Sequence, residues 1–409
     1  MFDFLKKRTF PIGIDLGYGT LKMMQLAVAD RGLNLVAAAQ AEVPYEIRSN
    51  PALLQEWYVE TARGMLSERP FRGNRVVTAL PAREVLVQHL RMPKMDPAEM
   101  ARALPFEAQG KVPFDIHRAR LCHVLAGEVY DGSQAKQEVI LMAASHNVVQ
   151  QHLSFLERTK LDIQSINVEP SALLNSFAHL LEKGESSDGA TMFIDLGHSA
   201  AKVVITHGKD LAFCRTISSG GEHLVHAIAE RLGVEYSDAQ QLYFRFCRGE
   251  SLGDASSALP RPSPPPAVQE SPAASVCVGG VSLGAQPDVE ESAVAQDDPD
   301  VLMQSVLQMA VRHLCDELRG CVRYHDLLFP AQTVGKIIFV GGQAKNTVFC
   351  QQIARNLQLP AQLGDPLARI NPDTRVGSHS DLQISERHSE WAVAFGLSLG
   401  QVRSGKVHA

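Results

Sequence analysis

Two short stretches of the chain place a carboxylate, a glycine turn and a lysine at the same spacing. The first, IDLGYGTLK, has Asp15 followed by Lys22 seven residues later, and the second, IDLGHSAAK, has Asp195 followed by Lys202 at the same distance. Glycines in such a turn let backbone N–H groups approach an anion closely, because they carry no Cβ. A lysine adds positive charge, and two carboxylates can hold Mg²⁺ through water. Together the stretches predict a polyphosphate site with a magnesium ion held by Asp15 and Asp195.

The two hairpins also have a plain structural interpretation. As simple turns they would need their glycines but neither the carboxylates nor the lysines, and Asp15 and Asp195 would be ordinary turn residues. The recurrence of Ile-Asp-Leu-Gly and of the lysine at a spacing of 180 residues argues against this interpretation. A repeat of that length is too long for a solenoid. It predicts an α/β fold made of two similar βββαβαβα halves that face each other.

The elements that must position these turns follow from hydrophobic periodicity. Short alternating or apolar runs after residue 10 and after residue 189 each predict three antiparallel strands. Between them, a strand, a helix and two strands form a small unit, whose helix begins at Asp96-Pro97 with an N-cap followed by proline. The predicted segments are 10–75 for the first part of half I, 76–146 for an inserted small α+β subdomain, 147–188 for the remainder of half I, 189–250 with 301–400 for half II, and 251–300 for an insertion.

Residues 251–300 differ in composition from the rest of the chain. They contain eight of its 22 prolines, and eight acidic residues against one basic residue. Such a segment cannot bury enough apolar surface to offset the entropy of ordering it, which predicts a disordered acidic insertion. A proline-rich ligand for an SH3-type domain is the alternative. The insertion has a net charge of −7 and the whole chain one of −6, so the rest of the chain has a net charge of +1. A basic surface for nucleic acid is therefore not expected.

Composition bounds the compartment and excludes several classes of protein. Hydrophobic residues make up 45% of the 409 residues, as in ordinary soluble globular proteins. No run of eighteen apolar residues occurs, so no membrane span is expected. The first ten residues lack the apolar core of a signal peptide. The seven cysteines form no CxxC pair, which indicates reduced thiols in a cytoplasmic protein.

Three further segments carry residues that could take part in the same chemistry. Glu169 ends an apolar strand before Pro170 opens a helix, where a carboxylate could orient an attacking water or could simply favour the helix dipole. Gly341-Gly342 follows another apolar strand, and bare backbone there could contact a nucleobase or ribose, or could only form a tight turn. A final helix of small residues, which includes Gly396, is suited to close packing between the halves.

In this order, the five segments resemble the actin-like ATPase superfamily, which includes actin, the Hsp70 ATPase domain and the sugar kinases. The resemblance covers residues 10–400 apart from the insertion. It implies ATP and Mg²⁺ as cofactors, with phosphate motifs at the two hairpins, an adenosine motif at FVGG, Glu169 as the catalytic residue, and hydrolysis that is slow at most. The cofactor-binding residues that it implies are Asp15, Gly17, Tyr18, Gly19, Thr20, Lys22, Asp195, Gly197, His198, Ser199, Gly220, Gly221, Gln240, Tyr243, Gly341 and Gly342.

Within this superfamily the sequence resembles most the PilM family of type IV pilus assembly, and next the FtsA family of division proteins. Residues 76–146 carry the likeness, together with the short leader and the run ALPFEAQGKVPFD. The family implies a protein at the cytoplasmic face of the inner membrane, peripheral and without a span. It also implies a groove beside the small subdomain, near Val85, Val87 and Leu90, that docks the short cytoplasmic tail of a PilN-like membrane protein. Self-association is a further expectation.

Two features depart from the family pattern. Family members place a Glu and a Lys on the helix after the second diglycine, where both touch ribose and base, and this chain has Gln240 and Tyr243 there. In the second phosphate turn, His198 replaces a small residue. These departures predict weak nucleotide binding or negligible turnover.

Two other functions are compatible with the same fold. A small-molecule kinase would need a further catalytic base, and no Asp on a loop beyond the two phosphate motifs fills that role. An FtsA-like division filament would bring a C-terminal amphipathic helix. The sequence SLGQVRSGKVHA is instead short, broken by glycine and poor in large apolar residues.

Overall fold

The computed structural model describes residues 9–29, 32–181, 189–247, 249–250, 252, 299–371, 382 and 387–400. The chain divides into two compact units. The first comprises Met1–His223 and Ala310–Ala409, and the second comprises Leu224–Met309. Most of the predicted insertion, residues 251 and 253–298, lies outside the described residues.

The described residues form thirteen strands and ten α-helices. The strands are β1 (Thr9–Leu16), β2 (Thr20–Val28), β3 (Leu33–Glu42), β4 (Arg75–Leu80), β5 (Leu86–Pro93), β6 (Ala119–Asp131), β7 (Gln134–Ser145), β8 (Asp162–Val168), β9 (Ala190–Leu196), β10 (Ala201–His207), β11 (Asp210–Ile217), β12 (Val334–Val340) and β13 (Ala361–Leu363). The helices are α1 (Tyr45–Arg48), α2 (Pro51–Glu68), α3 (Pro97–Ala108), α4 (His146–Arg158), α5 (Glu169–Leu181), α6 (Gly221–Leu232), α7 (Tyr236–Cys247), α8 (Pro299–Leu328), α9 (Thr347–Leu357) and α10 (Ala392–Ser398). Among the described residues, no helix is both long enough and apolar enough to cross a membrane.

Two five-stranded sheets repeat one topology. The first has the order β3-β2-β1-β4-β8 and the second the order β11-β10-β9-β12-β13. In each sheet the first three strands along the chain are antiparallel, and the last two run parallel to the central strand. The duplicated halves predicted from the sequence are therefore confirmed.

A third sheet, of order β5-β7-β6, is inserted between β4 and α4. Its strands and helix α3 form the small subdomain expected from the sequence. Strand β4 does not belong to it, because β4 pairs in parallel with β1 and β8. The inserted sheet therefore begins at β5, later than the predicted boundary at residue 76. The apolar run of β4 fits either assignment, and only its pairing partners decide between them.

The inserted sheet has apolar residues on both faces. One face packs on α3, whose N-cap Asp96 accepts hydrogen bonds from the N–H groups of Ala98 and Glu99 at 2.8 and 2.9 Å, as the Asp-Pro start predicted. The other face packs on the second half. Members of that shared core include Val129, Ile140, Met142, Phe193, Val204, Leu211 and Phe329. The subdomain is therefore packed onto the second half and does not project freely from the first.

Polar contacts fix the same junction. Nε2 of His89, on β5, lies 3.1 Å from the carbonyl oxygen of Cys214 on β11, so this nitrogen donates the hydrogen bond. Tyr324, on α8, donates through its hydroxyl to Glu138 of β7 at 2.9 Å. Glu138 is completely buried. A buried carboxylate held in this way orients the inserted sheet, since it is costly to bury without its partners.

The backbone of the last helix, α10, packs directly against the backbones of α5 and β1. A Cβ placed on Gly396, in α10, would lie within van der Waals overlap of the carbonyl oxygen of Ala172 in α5. A Cβ on Gly13, in β1, would lie 2.3 Å from the carbonyl oxygen of Ala394 in the same helix. The close packing predicted for Gly396 is thus present, and it joins α5, α10 and the first sheet.

The second unit contains most of α6, all of α7 and the first part of α8. Helix α8 begins at Pro299, two residues before the predicted boundary at 301. The backbone N–H of Leu252 donates a hydrogen bond to the carboxylate of Asp300 at 3.2 Å. This bond lies beside the start of the helix.

We expect Gly396→Ala to destabilise the protein by about 1–3 kcal/mol, because the added methyl group must displace the backbone of α5. Gly64→Ala is the matched control, since a Cβ at this position of α2 meets no atom within 4 Å. The control should stabilise the helix by up to about 1 kcal/mol. Urea unfolding of both variants measures the difference, and equal effects would contradict the packing described for α10.

Candidate functional site

The two predicted phosphate turns have the same strand register, and each is closed by a backbone hydrogen bond between equivalent residues, which runs in opposite directions in the two turns. In the first turn the N–H of Thr20 donates to the carbonyl of Gly17 at 3.1 Å, and in the second the N–H of Gly197 donates to the carbonyl of Ala200 at the same distance. A Cβ on Gly17 would lie 2.8 Å from the oxygen of Thr20, and one on Gly197 would lie 2.7 Å from the oxygen of Ala200. Both glycines are therefore required by the closeness of their own turns.

The seven-residue spacing puts each aspartate directly opposite its lysine. Asp15 pairs with Lys22 across β1 and β2, and Asp195 pairs with Lys202 across β9 and β10. Because cross-strand neighbours share one face of a sheet, each carboxylate lies beside an ammonium group. The Lys22 Nζ lies 3.8 Å from Asp15 Oδ2, and the Lys202 Nζ lies 2.8 Å from Asp195 Oδ2.

The first half adds a third carboxylate, which lies beside Lys202. The Lys202 Nζ also lies 2.5 Å from Oε2 of Glu169, the first residue of α5. The other oxygen of Glu169, Oε1, accepts a hydrogen bond from the backbone N–H of Ala82 at 2.8 Å. Both oxygens of Glu169 are thus engaged within the chain. Its assignment as a catalytic residue stays a prediction, and these contacts describe a positioning role.

Burial controls the charge of the cluster. Burial raises the pKa of Asp15 to about 6, against the opposing effect of Lys22, while the carboxylate of Glu169 adds to the increase. Burial alone would lower the pKa of Lys202, but the carboxylates of Asp195 and Glu169 outweigh it and the pKa is raised. Lys202 therefore stays charged at neutral pH, and Asp15 is ionised in most molecules.

His198 connects the two turns. Nη1 of Arg48 lies 2.8 Å from Nε2 of His198, and since a guanidinium can only donate, this ring nitrogen accepts. Arg48 is held in place by two hydrogen bonds to the carbonyl of Val43, at 3.0 and 2.7 Å. A Cβ on Gly19 would lie 2.7 Å from the imidazole. The centre of the Tyr18 ring lies 6.0 Å from the centre of the His198 ring. The second turn is therefore fixed against the first through this histidine.

Arginine and tyrosine side chains that the sequence motifs missed complete this region. The Tyr58 hydroxyl donates to the carbonyl of Gly17 at 3.0 Å, and the Arg83 guanidinium lies 4.5 Å from the centre of the Tyr18 ring. With Arg48 and Ala82, these residues lie outside all five motifs. No sequence signal points to these residues. The Asp–Lys spacing identifies the hairpins, but it does not indicate which residues surround them.

The glycine pairs differ in what they do. The N–H of Gly221 donates to the carbonyl of Gly197 at 3.2 Å, and a Cβ on Gly220 would lie 2.4 Å from the oxygen of His198, close to Ser199. Gly341 has a φ of +91°, and its Cβ would lie 2.3 Å from Oδ1 of Asp195. A Cβ at Gly220 or Gly341 would overlap these atoms, so these two positions require glycine.

Gly342 is different, because a Cβ there would meet no atom within 4 Å. It is exposed, and it starts the short 3₁₀ helix Gly342–Lys345. The backbone at this position is open to a ligand, as the prediction for an adenosine contact requires.

Two of the predicted cofactor contacts belong to the second unit. Gln240 and Tyr243 lie on α7 in the second unit. Gln240 is half-buried, and Tyr243 is buried beside Phe244, with ring centres 6.0 Å apart. Their assignment to ribose and base stays a prediction.

The carboxylates of the site could hold a magnesium ion only if phosphate oxygens supplied further ligands. Among the described residues, no group of three His, Cys, Asp or Glu side chains is placed to hold a metal ion. Asp15 and Asp195 supply two carboxylates, each beside a lysine. Mg²⁺ keeps several waters and is commonly held by one or two carboxylates plus substrate phosphates. The residues present therefore fit a metal that arrives with a polyphosphate.

We expect Lys202→Met to lower the free energy of unfolding by about 3–5 kcal/mol, because it leaves two buried carboxylates without their cation. Lys22→Met is the matched control, since its single carboxylate lies 3.8 Å away. Its loss should be clearly smaller. Equilibrium denaturation in urea at neutral pH checks both values, and equal losses would show that the shared contact with Glu169 contributes nothing.

Comparison with solved structures finds matches of the same fold over nearly the whole chain. A chain of the solved PilM-PilN type IV pilus biogenesis complex is 20% identical, with a TM-score of 0.69, and the match covers 95% of this chain and 97% of that one. This likeness shows the fold, which is the duplicated actin-like one. No curated protein gives a significant match.

More distant structures are also similar. The ethanolamine utilization protein EutJ from Carboxydothermus hydrogenoformans is 12% identical with a TM-score of 0.48, covering 97% of this chain and 90% of that one. MreB 5 of Spiroplasma citri bound to AMPPNP is 12% identical with a TM-score of 0.45, covering 96% of each chain.

A family model describes more than half of the chain. The model of the type IV pilus assembly protein PilM matches residues 13–244. The matched range includes both phosphate turns and the whole inserted subdomain. The chain therefore belongs to the PilM family of type IV pilus assembly proteins.

Proposed function

We propose that the chain is an actin-like, ATP-binding scaffold of the type IV pilus assembly platform. It lies in the cytoplasm, peripheral at the inner membrane, and docks the cytoplasmic tail of a PilN-like membrane protein. Family membership supports the place in pilus assembly. The observation that carries the nucleotide part is the pairing of each aspartate with a lysine in the same register on two equivalent turns.

Each side chain of the site has a separate role in this proposal. Lys22 and Lys202 place positive charge at the phosphates, while Asp15 and Asp195 bind the waters of Mg²⁺. The open backbone at Gly342 contacts the nucleoside. A magnesium ion, when bound, neutralises phosphate charge. Because both oxygens of Glu169 are already bound by Lys202 and Ala82, no free base is positioned among these residues, and hydrolysis is slow at most.

A cleft beside the subdomain is the docking site that we propose for the tail. This small cleft lies between β5, β7, the start of α5 and β11. Its lining is mainly apolar and consists of Leu80, Ala82, Val85, Val87, Met142, Val168, Glu169, Pro170, Lys202, Val203, Cys214, Arg215 and Thr216. Val85 and Val87 line this cleft, which supports the peptide groove expected from the sequence. Leu90 does not, because it is buried against α3 in the core of the subdomain.

The solved complex supports the choice of occupant. That structure contains PilM together with PilN, and its matched chain aligns with 95% of the present one. A short peptide can be held by pockets for alternate side chains in such a cleft. Since the lining of the cleft is mainly apolar, an extended tail with apolar anchors is the partner that its chemistry favours.

We expect Asp195→Ala to weaken Mg²⁺-ATP binding by about 1–3 kcal/mol, the usual contribution of a charged hydrogen bond. Asp210→Ala is the matched control, because it removes the same charge from an exposed position at the start of β11. Isothermal titration calorimetry measures both affinities. An unchanged affinity in a folded Asp195→Ala variant would show that the hairpins are structural turns and not a nucleotide site.

We expect the double variant Val85→Ser, Val87→Ser to bind the tail peptide at least about tenfold more weakly, because it removes apolar surface from the cleft. Point variants are preferable to removal of the subdomain, whose second face packs on the core of the second half. Tyr130→Ser is the control, as its side chain in the same sheet is 70% exposed. Fluorescence anisotropy with a labelled peptide checks the prediction, and equal affinity for both variants would place the docking site elsewhere.

A further inference from the structure

We propose that Arg48 is a phosphate-binding residue of the nucleotide site, and that the side chain of His198 masks it until a nucleotide binds. The imidazole of His198 fills the space between the two phosphate turns and rotates away before a polyphosphate enters. The inference rests on the proposed function and adds two side-chain roles to it. One is a further cation for the phosphates, and the other is a self-inhibitory contact.

The guanidinium group of Arg48 is held in a fixed orientation between the two turns. Its Nε and Nη2 donate to the carbonyl oxygen of Val43 at 3.0 and 2.7 Å, and the side chain is buried. The N–H of Val43 in turn donates to the carbonyl oxygen of Gly19, in the first phosphate turn, at 3.1 Å. The remaining guanidinium nitrogen, Nη1, lies 2.8 Å from Nε2 of His198 in the second turn. Arg48 is therefore anchored at the first turn and directed at the second.

Both of these acceptors of Arg48 are neutral groups. Since a guanidinium can only donate, Nε2 of His198 carries a lone pair, and the imidazole is neutral with its proton on Nδ1. Arginine binds phosphate oxygens through hydrogen bonds in which both partners are charged, and these are stronger than bonds to a neutral acceptor. A phosphate that reaches Nη1 therefore replaces the imidazole as its partner.

The imidazole of His198 also blocks the space that a polyphosphate needs. A Cβ placed on Gly19 would lie 2.7 Å from Cγ and 2.9 Å from Nδ1 of His198, so the ring of the second turn touches the backbone of the first. A polyphosphate that is bound by both turns lies between them. It cannot bind there while the ring keeps this position, so one side chain both blocks the site and masks Arg48.

Only the side chain of His198 has to move. The carbonyl oxygen of His198 accepts a hydrogen bond from the N–H of Glu222 at 2.8 Å, and that of Gly197 accepts one from Gly221 at 3.2 Å. The start of helix α6 therefore fixes the backbone of the second turn. The imidazole itself is half-buried. Truncation of this side chain should consequently open the site and leave the turn intact.

The test measures the affinity of the full chain for Mg²⁺-AMPPNP by isothermal titration calorimetry. We expect His198→Ala to bind this nucleotide about 10- to 100-fold more tightly than the wild-type protein, because binding no longer breaks a hydrogen bond to a charged group. His223→Ala is the matched control, since it removes an exposed imidazole from the first turn of α6. Its affinity should equal that of the wild-type protein.

A second pair of variants tests whether Arg48 itself contacts the phosphates. In the His198→Ala background, Arg48→Gln should weaken Mg²⁺-AMPPNP binding by at least about tenfold, the effect of one lost charged hydrogen bond. In the wild-type background the loss should be smaller, because Arg48 must there give up its bond to His198 before it reaches the phosphate. Equal losses in the two backgrounds would show that His198 does not mask Arg48.

A spectroscopic measurement on the wild-type protein replaces this pair if Arg48→Gln does not fold. The ¹⁵N resonances of the His198 ring are assigned by their disappearance in His198→Ala. They should report a proton on Nδ1 and a hydrogen-bonded lone pair on Nε2, and they should shift when Mg²⁺-AMPPNP saturates the protein. Unchanged resonances at saturation would overturn the proposal.

The outcomes separate this inference from the proposed function. Failure of both the wild-type protein and a folded His198→Ala variant to bind Mg²⁺-AMPPNP overturns the proposed function, and this inference with it. Binding by the wild-type protein that is as tight as binding by His198→Ala, or tighter, overturns the inference alone.

Discussion

The ammonium group of Lys202 is the contact on which the arrangement of the site depends. It lies between Asp195 of the second phosphate turn and Glu169 of helix α5, with little solvent around it. Two carboxylates can be buried this close together only because one cation neutralises them. The same contact positions the start of α5, and through Ala82 the entry to the inserted sheet.

The duplicated halves have the same strand register at their turns but differ in their ion pairs. Asp15 and Lys22 occupy the same register positions as Asp195 and Lys202. In the first half, however, the ion pair is longer, and burial raises the pKa of Asp15 to about 6. The halves therefore share this strand register, while the closer ion pairing is that of Lys202, which contacts Asp195 of the second half and Glu169 of the first.

The inserted subdomain is held by both apolar and polar contacts. One face of its sheet covers α3, and the other joins the core of the second half. His89 and the buried Glu138 add directional hydrogen bonds to β11 and α8. A cleft lies at the edge of this junction, next to Glu169.

The sequence alone determined the features that depend on local order. Hydrophobic periodicity, the Asp-Pro helix start and the repeated Asp–Lys spacing gave the strands, the two halves and the facing carboxylate–lysine pairs, since these follow from neighbours along the chain. Only the tertiary structure decided that β4 pairs with the first sheet, that Leu90 is core and not cleft, and that Arg48, Tyr58 and Ala82 surround the turns. These residues lie in no motif, because their partners are far away in the chain and no spacing rule connects them.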